Sequence, residues 1–350
     1  PYIKSIKKIY SDGRHNAFTD MEYWKGHYYV SFRNGPRHPT LPGMWGRGMI
    51  IRSSNLESWE VCARFEMEGM DTSNPRLMDL GDELGALGRA IFSKRPGILR
   101  LYEGESGIQS YMRFTSDGTL WSDPQPVLHN DNLFWRPVRF GDVWYITEWS
   151  VAEGLRLARS TDTLDWQIIS TIPPTPKIRY SEEAEIWISN DEVMHIIIRA
   201  HENQDPAYLA ESRPPYTDWK LTELEYTVHC AVCKPVGDEL WIAGKTRTVQ
   251  FPPSVEIPPG PTREKIAALV WRDGRLGKAP DWHTAIWRFV DGKLEPILVF
   301  PSVGDCGYPG MVVEKDRILL SYYSQHDVDQ APKSKPGEIA NDIYLAEIVV

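Results

Sequence analysis

The sequence lacks a long hydrophobic run, an excess of positive charge and a basic cluster. No stretch reaches the about 18 consecutive apolar residues that indicate a membrane-spanning helix. The formal net charge of -9 argues against nucleic acid or an anionic membrane as a partner. An acidic protein can still carry a basic pocket, so a small anionic substrate remains compatible with this composition.

Cysteine is also scarce, with four residues in a chain of 350. Cys230 and Cys233 form a lone C-x-x-C motif, whereas a structural zinc site needs a second pair of ligands. In a strand these two side chains point to opposite faces, so we expect buried, unreactive thiols. The sequence therefore predicts no metal and no cofactor.

A signal peptide is not visible, and the sequence begins at Pro1 without an initiator methionine. We expect a secreted or periplasmic protein whose leader has been removed, with a cytoplasmic location as the alternative. The cysteines do not distinguish the two.

Short strand-like runs fill the chain, and helix-period patterns are scarce. The runs are apolar, β-branched and aromatic, in a sequence with 14 tryptophans and 16 tyrosines. Six of them follow a two-residue turn of Gly, Asn, Asp or Lys, the residue types that suit tight hairpins. The turns are Lys25-Gly26, Gly81-Asp82, Gly141-Asp142, Asn190-Asp191, Gly237-Asp238 and Lys315-Asp316.

The six hairpins recur at intervals of roughly 50 residues, the period of a four-stranded propeller blade. Each runs from a polar or charged residue through the turn to another such residue. The terminal segments 3–10 and 343–350 are both strand-like, and one of them is expected to close the ring. We predict an all-β chain that forms a single six-bladed β-propeller domain over residues 1–350.

A second repeat follows several hairpins and combines Ser or Thr, a turn with Asp, and a Trp. It reads IIRSSNLESW at 50–59, MRFTSDGTLW at 112–121 and LARSTDTLDW at 157–166, with a reduced form ending at Trp219. The small side chains can hydrogen-bond the turn backbone while the Trp covers the hairpin. We interpret this repeat as scaffold.

The proline-rich segment 252–265, PPSVEIPPGPTREK, interrupts the fifth unit. Its composition predicts an exposed loop or lid.

The S-x-D-x-x-x-W turns resemble the Asp-box repeats of the sialidase superfamily of six-bladed propellers. SEEAEIWISNDEVMHIIIR at 181–199 is similar to the sialidase segment that carries two functional residues. The resemblance implies that Glu183 partners the nucleophile and that Arg199 belongs to a carboxylate-binding arginine triad. It likewise implies that Tyr308, in GYPGMVVEKDRILLSYY, is the nucleophile. Arg247 is a looser candidate for another triad arginine.

The first unit departs from the sialidase pattern. His15 stands where the family places a triad arginine, and the loop NGPRHPTLPGMWGRG contains His38 but no carboxylate where the family has its catalytic Asp. Two histidines flanking the first hairpin also resemble the arrangement in propeller-fold polysaccharide lyases and related glucuronosidases, which usually have seven blades. Chemistry related to, but different from, that of sialidases is therefore expected.

In the glycosidase interpretation Tyr308 attacks the anomeric carbon and Glu183 accepts its proton, because a free Tyr is a poor nucleophile at neutral pH. His15 or His38 would act as acid/base, since His titrates near neutrality. Basic residues would bind an acidic or hydroxyl-rich sugar. The substrate-binding candidates are Arg199, Arg247, Arg136, Arg33 and His201.

Two alternatives remain open at this point. In a lyase an arginine would neutralise a uronate carboxylate, and His15 and Tyr308 would remove the C5 proton and protonate the leaving oxygen. In the other, the propeller binds sugar without catalysis. Glu185 is an alternative to Glu183, because residues two apart in a strand share a face. We predict an exo-acting glycosidase with an oligosaccharide or polysaccharide substrate.

Overall fold

In the computed structural model the described residues are 1–37, 45–93, 106–150, 152–175, 183–200, 205–259, 282–327 and 340–350. They form 25 β-strands in six sheets, together with one turn of 3-10 helix at Thr248–Gln250. Within these ranges no helix has the length and apolarity needed to cross a membrane. The prediction of an all-β, six-bladed propeller is confirmed.

Each sheet is a blade whose strands run antiparallel from the channel outward. The first two blades contain β2 to β5 (His15–Trp24, His27–Gly35, Arg47–Ser53, Glu60–Phe65) and β6 to β9 (Asp71–Asp79, Leu84–Ser93, Ser106–Thr115, Gln125–Val127). The third and fourth contain β10 to β14 (Leu133–Phe134, Val138–Phe140, Val143–Ser150, Gly154–Ser160, Gln167–Thr171) and β15 to β18 (Ala184–Ile188, Met194–Ile198, Tyr208–Ser212, Lys220–Glu223). The fifth contains β19 to β22 (His229–Val236, Glu239–Arg247, Trp282–Val290, Lys293–Val299). The sixth contains β23 (Gly307–Val313), β24 (Arg317–Ser324), β25 (Asp342–Val349) and β1 (Tyr2–Tyr10).

Both terminal strands belong to the sixth blade. β25 pairs with β24, and β1 pairs with the outer edge of β25. We expected one terminal strand to close the ring, and the structure uses both. The third strand of the sixth blade comes from the end of the chain, and its outermost strand comes from the start.

The first hairpin shows why the predicted turns form. Trp24 and His27 are paired across the turn, and Lys25 and Gly26 both adopt positive φ, at 45° and 80°. This backbone matches the twist of the flanking strands. The inner strand β2 is thereby held against β3, with its far end at the turn.

Four inner strands carry a bulge at an equivalent position. The pairing register shifts between Ala17 and Asp20 in β2. It shifts in the same way between Ser73 and Arg76 in β6, between His229 and Val232 in β19, and between Gly307 and Gly310 in β23. Each bulge contains a non-glycine residue of positive φ: Phe18, Asn74, Cys230 and Tyr308. A bulge bends its strand and re-aims one side chain. Here it does so where the inner strands converge.

The Ser/Thr–Asp turns have the structure expected of scaffold. The Asp162 carboxylate accepts the backbone N–H groups of Leu164 and Asp165, and Ser160 accepts that of Thr163. Asp117 and Asn55 act in the same way in the two other turns. The cluster that packs between the second and third blades includes Trp166.

The blades pack through apolar side chains on their facing surfaces. Trp287, Ile242 and Leu209 lie in one cluster between the fourth and fifth blades, and Trp287 is completely buried. Such clusters recur between neighbouring blades around the ring. Because the apolar surfaces lie between blades, polar residues of the inner strands are left to face the channel.

The first part of the proline-rich segment, residues 252–259, is an irregular and mostly exposed loop, as predicted. The rest of the segment lies outside the described residues.

Candidate active site

Basic or aromatic side chains occupy equivalent positions on the second strands of five blades. The pairing places Arg33 opposite Ala17, Lys245 opposite His229 and Tyr323 opposite Gly307. Arg89 pairs with Ser73 in the same way, and the backbone N–H of Arg199 donates to the carbonyl of Glu183. These residues therefore gather at one end of the channel, where the inner strands begin.

Tyr308 and Glu183 meet at this end, although 125 residues separate them in sequence. The Tyr308 hydroxyl donates to Oε1 of Glu183 at 2.6 Å, and Arg199 Nη1 donates to the same oxygen at 2.8 Å. The backbone N–H of Cys230 donates to Oε2 at 2.7 Å. Glu183 is 2% exposed and Tyr308 is 8% exposed. Glu183 is therefore a buried hydrogen-bond acceptor for the phenolic hydroxyl of Tyr308.

Glu183 is kept ionised by these contacts. Burial by itself would raise the pKa of its carboxyl group, but the charge of Arg199 and the hydrogen bonds from Tyr308 and the Cys230 backbone outweigh it. The net effect is a pKa below the ordinary value for Glu. The carboxylate is therefore available as a proton acceptor at neutral pH.

Tyr308 lies between aromatic rings and a buried cation. Phe18 and Trp135 lie 4.7 and 5.3 Å from its ring centroid. The Arg76 guanidinium lies 4.8 Å from the Trp135 centroid and 5.5 Å from that of Tyr308. Burial, and then the charge of Arg136, lowers the pKa of Arg76 to about 10, so it remains positive at neutral pH. A cation on the ring face favours the phenolate.

His15 is completely buried and hydrogen-bonded at both ring nitrogens. Its Nε2 lies 2.7 Å from Oδ2 of Asp305, and Arg33 Nη1 lies 3.5 Å from its Nδ1. The Tyr323 hydroxyl donates to the other oxygen of Asp305 at 2.9 Å. The His15 ring lies edge-on to Phe18 and Tyr323, both of which also contact Tyr308. His15 thus belongs to the same neighbourhood as the Tyr308–Glu183 pair.

Arg33 lies in a buried ion pair. Its Nε donates to both carboxylate oxygens of Asp71 at 3.0 Å, and Nη2 donates to Oδ2 at 2.6 Å. Both side chains are completely buried. A third donor, Nη1, reaches the carbonyl of Arg37 at 2.8 Å. This pairing orients the guanidinium that contacts His15.

Arg136 lies inside the channel and ties blades together. Its Nε donates to Asp20, Nη1 to the carbonyl of Ala231, and Nη2 to the carbonyls of Thr19 and Pro309. These acceptors belong to the first, fifth and sixth blades. The sequence grouped Arg136 with the sugar-binding residues, whereas its contacts in the structure join the inner strands beneath the site.

Lys245 occupies the position on the fifth blade that matches Arg33 and Arg199. Its ammonium lies 5.3 Å from the centroid of the Trp282 ring, over one face. Arg247, the residue predicted from sequence, lies two positions further along β20, opposite Trp282 and half-buried at the strand end. Residues two apart share a face, so both point to the same side of the strand. His38 and His201 lie outside the described residues.

Cys230 and Cys233 are buried as predicted, and their backbone has a role that the motif does not suggest. Burial raises the pKa of the Cys230 and Cys233 thiols well above the ordinary value, so both stay protonated. Their N–H groups bind carboxylates, Cys230 that of Glu183 and Cys233 that of Glu185. In the described part of the chain no group of His, Cys, Asp and Glu is arranged to hold a metal ion.

Sequence reasoning missed several polar residues of this site. They are Asp71, Arg76, Arg89, Lys245 and Asp305. Asp305 lies three residues before Tyr308, whereas the sialidase resemblance implies a catalytic Asp after the first hairpin. Arg89 and Lys245 were recognisable as basic residues inside apolar strands, where an unpaired charge is costly.

Comparisons with known proteins identify the fold. No protein-family model matches the sequence, and a search of curated proteins gives no match. A protein of unknown function from Dyadobacter fermentans is 15% identical with a TM-score of 0.75, and the alignment covers 100% of this chain and 99% of that one.

Two glycoside hydrolases share the same architecture. An α-L-arabinofuranosidase from Fusarium graminearum, solved as a mutant with an iminosugar inhibitor, is 10% identical with a TM-score of 0.65 over 99% of this chain and 98% of that one. The Trypanosoma rangeli sialidase, solved with sialic acid, is 10% identical with a TM-score of 0.58, over 99% of this chain and 57% of that one. The chain thus shares the propeller fold of these proteins, which include a sialidase and an arabinofuranosidase.

Proposed function

We propose that this sialidase-like propeller is an exo-acting glycoside hydrolase that releases a terminal acidic sugar from a glycan or polysaccharide. The 2.6 Å hydrogen bond from the Tyr308 hydroxyl to Glu183 carries the proposal. A nucleophile within hydrogen-bond reach of a base that is itself oriented by a third group is the signature of covalent catalysis. Arg199 is that third group.

Each proton has a named destination in this mechanism. Glu183 accepts the Tyr308 proton while the phenolic oxygen bonds to the anomeric carbon and the glycosidic bond breaks. An unperturbed Tyr has a pKa of about 10, so the base is needed at neutral pH. Arg76, on the ring face, stabilises the negative charge that develops on the phenol. Water then attacks the anomeric carbon of the tyrosyl sugar and gives its proton to the group that protonated the leaving oxygen, and Glu183 returns its proton to Tyr308.

The leaving oxygen needs a proton donor, and we assign this role to the His15–Asp305 pair. The two side chains share a hydrogen bond of 2.7 Å and adjoin Tyr308 through Phe18 and Tyr323. The pair donates from its protonated state, in which the transferable proton is shared between Nε2 of His15 and Oδ2 of Asp305. His38 remains the alternative acid predicted from sequence.

The charge around Tyr308 and Glu183 supports an acidic substrate. Arg199 donates to the Glu183 carboxylate at 2.8 Å, and Lys245 lies opposite His229, next to Cys230, whose N–H binds the same carboxylate. Glu183 neutralises one positive charge, which leaves the site with basic character. Arginine and lysine at equivalent strand positions suit a carboxylate on the sugar. Arg247 is proposed to extend this basic surface, and His201, outside the described residues, stays a substrate-binding candidate from sequence.

The experiment is hydrolysis of aryl glycosides of sialic, glucuronic and galacturonic acid, followed by chromatography of the released sugar. We expect release of at least one sugar, and a loss of about 10²–10⁴-fold in kcat for Glu183→Gln. Tyr308→Phe should lose at least as much. Tyr208→Phe is the matched control, since its hydroxyl also donates to a glutamate, Glu223, but at the outer edge of the fourth blade.

Two other outcomes would reject hydrolysis. An unsaturated uronate with its characteristic ultraviolet absorbance, formed from a uronate polymer, would establish the lyase alternative. Binding of acidic sugars without turnover in any assay would establish a sugar-binding propeller. Full activity in Tyr308→Phe would exclude Tyr308 as the nucleophile.

A further inference from the structure

A cavity lies at the opposite end of the channel from the candidate active site. Its volume is about 370 Å³, within the range of roughly 300–1,000 Å³ typical of small-molecule sites. All six blades contribute lining residues, from the parts of their inner strands that approach the hairpin turns. Glu22, Asp79 and Lys234 are examples. This cavity is separate from the strand starts where Tyr308 and Glu183 lie.

Arg136 forms the boundary between the two ends. Its guanidinium lines the cavity and is bonded to Asp20 and to three backbone carbonyls of neighbouring inner strands. Glu183, directly before β15, contacts Tyr308 on one side of this boundary. Glu185, two residues later on the same face, lines the cavity on the other side.

Glu185 presents an unsatisfied oxygen at this cavity. The residue is 2% exposed, and its Oε1 accepts the backbone N–H of Cys233 at 3.1 Å. Its Oε2 is buried without a hydrogen-bond partner and lies 3.9 Å from Nη1 of Arg136, beyond hydrogen-bond distance. A buried acceptor left unpaired costs about 1–3 kcal/mol, and more when it is charged. A ligand that donates a hydrogen bond to Oε2 removes that cost.

The remaining lining defines the chemistry of that ligand. Glu22 and Asp79 are acceptors, while Lys234 and Arg139 are donors of opposite charge. No group of carboxylates in the described chain is placed to hold a metal ion. The lining holds four carboxylates and three cations, and these nearly balanced charges favour a neutral ligand that both donates and accepts hydrogen bonds. Apolar walls complete the cavity, with the aromatic side chains Phe140, Trp144 and Trp187.

We propose that this cavity is a second carbohydrate-binding site, which takes a neutral sugar. Sugar hydroxyls donate to Glu185 and Glu22 and accept from Lys234, and the apolar face of the sugar ring packs on the aromatic walls. The site is independent of the chemistry at Tyr308, because its lining residues and Glu183 lie on opposite sides of Arg136.

Saturation-transfer NMR with methyl β-glycosides of galactose, glucose and xylose tests the proposal on the intact protein. We expect transfer to at least one glycoside, and a rise of about tenfold or more in its Kd for Glu185→Gln and for Lys234→Met. Lys220→Met is the matched lysine control, since Lys220 is exposed on the outer edge of the fourth blade. Glu183→Gln should leave this binding unchanged.

Three results would overturn the second site. They are no transfer from any of the three glycosides, binding that is lost in Glu183→Gln but retained in Glu185→Gln, and equal weakening by Lys220→Met. Should Glu185→Gln fail to fold, Lys234→Met carries the test, because Lys234 lies at the half-exposed end of β19. Failure of acidic-sugar hydrolysis would not affect these outcomes, so the two proposals are distinguishable.

Discussion

Glu183, directly before β15, and Glu185, within it, have pKa values that are shifted in opposite directions. Burial by itself would raise the pKa of both carboxyl groups. Glu183 gains a direct ion pair with Arg199 and two further hydrogen bonds, which hold its pKa below the ordinary value. Glu185 lies 3.9 Å from an arginine that is already bonded elsewhere, and its pKa is raised to about 7. Environment, not residue type, therefore suits Glu183 to act as the base.

Arg199 should set the acid limb of the pH–rate profile. Glu183 must be ionised to accept a proton, and without the Arg199 charge its buried carboxyl group has a higher pKa. We expect Arg199→Met to move the acid limb of kcat to higher pH by about 1–3 units. Arg199→Lys keeps the charge and should move it less. The measurement is kcat against pH for both variants. An unmoved limb in Arg199→Met would exclude Glu183 as the titrating base.

The Arg33–Asp71 pair should dominate local stability. Arg33→Met leaves a buried carboxylate unpaired, which costs about 3–5 kcal/mol in the free energy of unfolding. The control is Arg213→Met, which breaks an exposed pair with Asp191 and should cost under about 1 kcal/mol. Denaturant unfolding at neutral pH measures both. Equal losses in the two variants would contradict a special role for the buried pair.

The same pair predicts a dependence on pH. Burial by itself would raise the pKa of Asp71, but the charge and hydrogen bonds of Arg33 lower it by more, so its folded pKa lies below the ordinary value. The stabilisation is therefore fully present above the unfolded pKa of about 3.9 and is lost as pH falls through the folded pKa. The difference between the native protein and Arg33→Met should shrink in acid.

At the scale of the element, the bulged inner strand is the unit that builds the site. The bulge at Phe18 places its ring against Tyr308, the bulge at Cys230 places a backbone donor on Glu183, and the bulge at Tyr308 presents the proposed nucleophile. Positive φ at a non-glycine residue is strained and persists where surrounding contacts enforce it. The repeated hairpin therefore supplies different chemistry in each blade from one backbone shape.

The Ser/Thr–Asp turns belong to the same scale and should affect stability alone. Asp162→Ala removes the acceptor for two backbone N–H groups, and we expect a loss of about 1–2 kcal/mol in the free energy of unfolding. Asp165→Ala, in the same turn, leaves the Asp162 acceptor in place within the described turn at 160–166 and should change stability by less than about 0.5 kcal/mol. Thermal unfolding and sugar release would be measured together. A fall in kcat without a fall in stability would contradict the scaffold role.

At the scale of the whole molecule, the ring is held together at its centre and at its seam. Arg136 joins three blades through the channel, and β1 closes the sixth blade against β25. Ile3 and Ile6 of β1 pack on the cluster between the fifth and sixth blades. The seam therefore couples the first residues of the chain to its last strand.

Removal of residues 1–10 should open this seam. The deletion exposes the edge of β25 and the apolar surface under Ile3 and Ile6, which together stabilise the fold by about 3 kcal/mol or more. We expect lower thermal stability and concentration-dependent association, because an unpaired edge strand is a template for another chain. Tyr2→Ala, at an exposed position of the same strand, is the control. Unchanged stability and a monomeric deletion variant would contradict the seam.

The sequence by itself determined the number of blades, their order and the hairpin turns. These features are local, because turn residues, alternating apolar strands and the Asp turns repeat at a fixed period. It also pointed to Glu183, Arg199 and Tyr308, since each lies at a matching place in a repeat that resembles a known one.

Only the tertiary structure decided how these residues combine. Partners such as Asp305 for His15, Asp71 for Arg33 and Arg76 for Tyr308 come from different blades, and their distances depend on how the ring closes. Ring closure also places Arg136 between the inner strands, and it gives Glu183 and Glu185 different surroundings, Tyr308 for the first and the cavity for the second. A repeat pattern specifies each blade, but contacts between blades are long-range, so the chemistry at the channel is fixed by the packing of the whole ring.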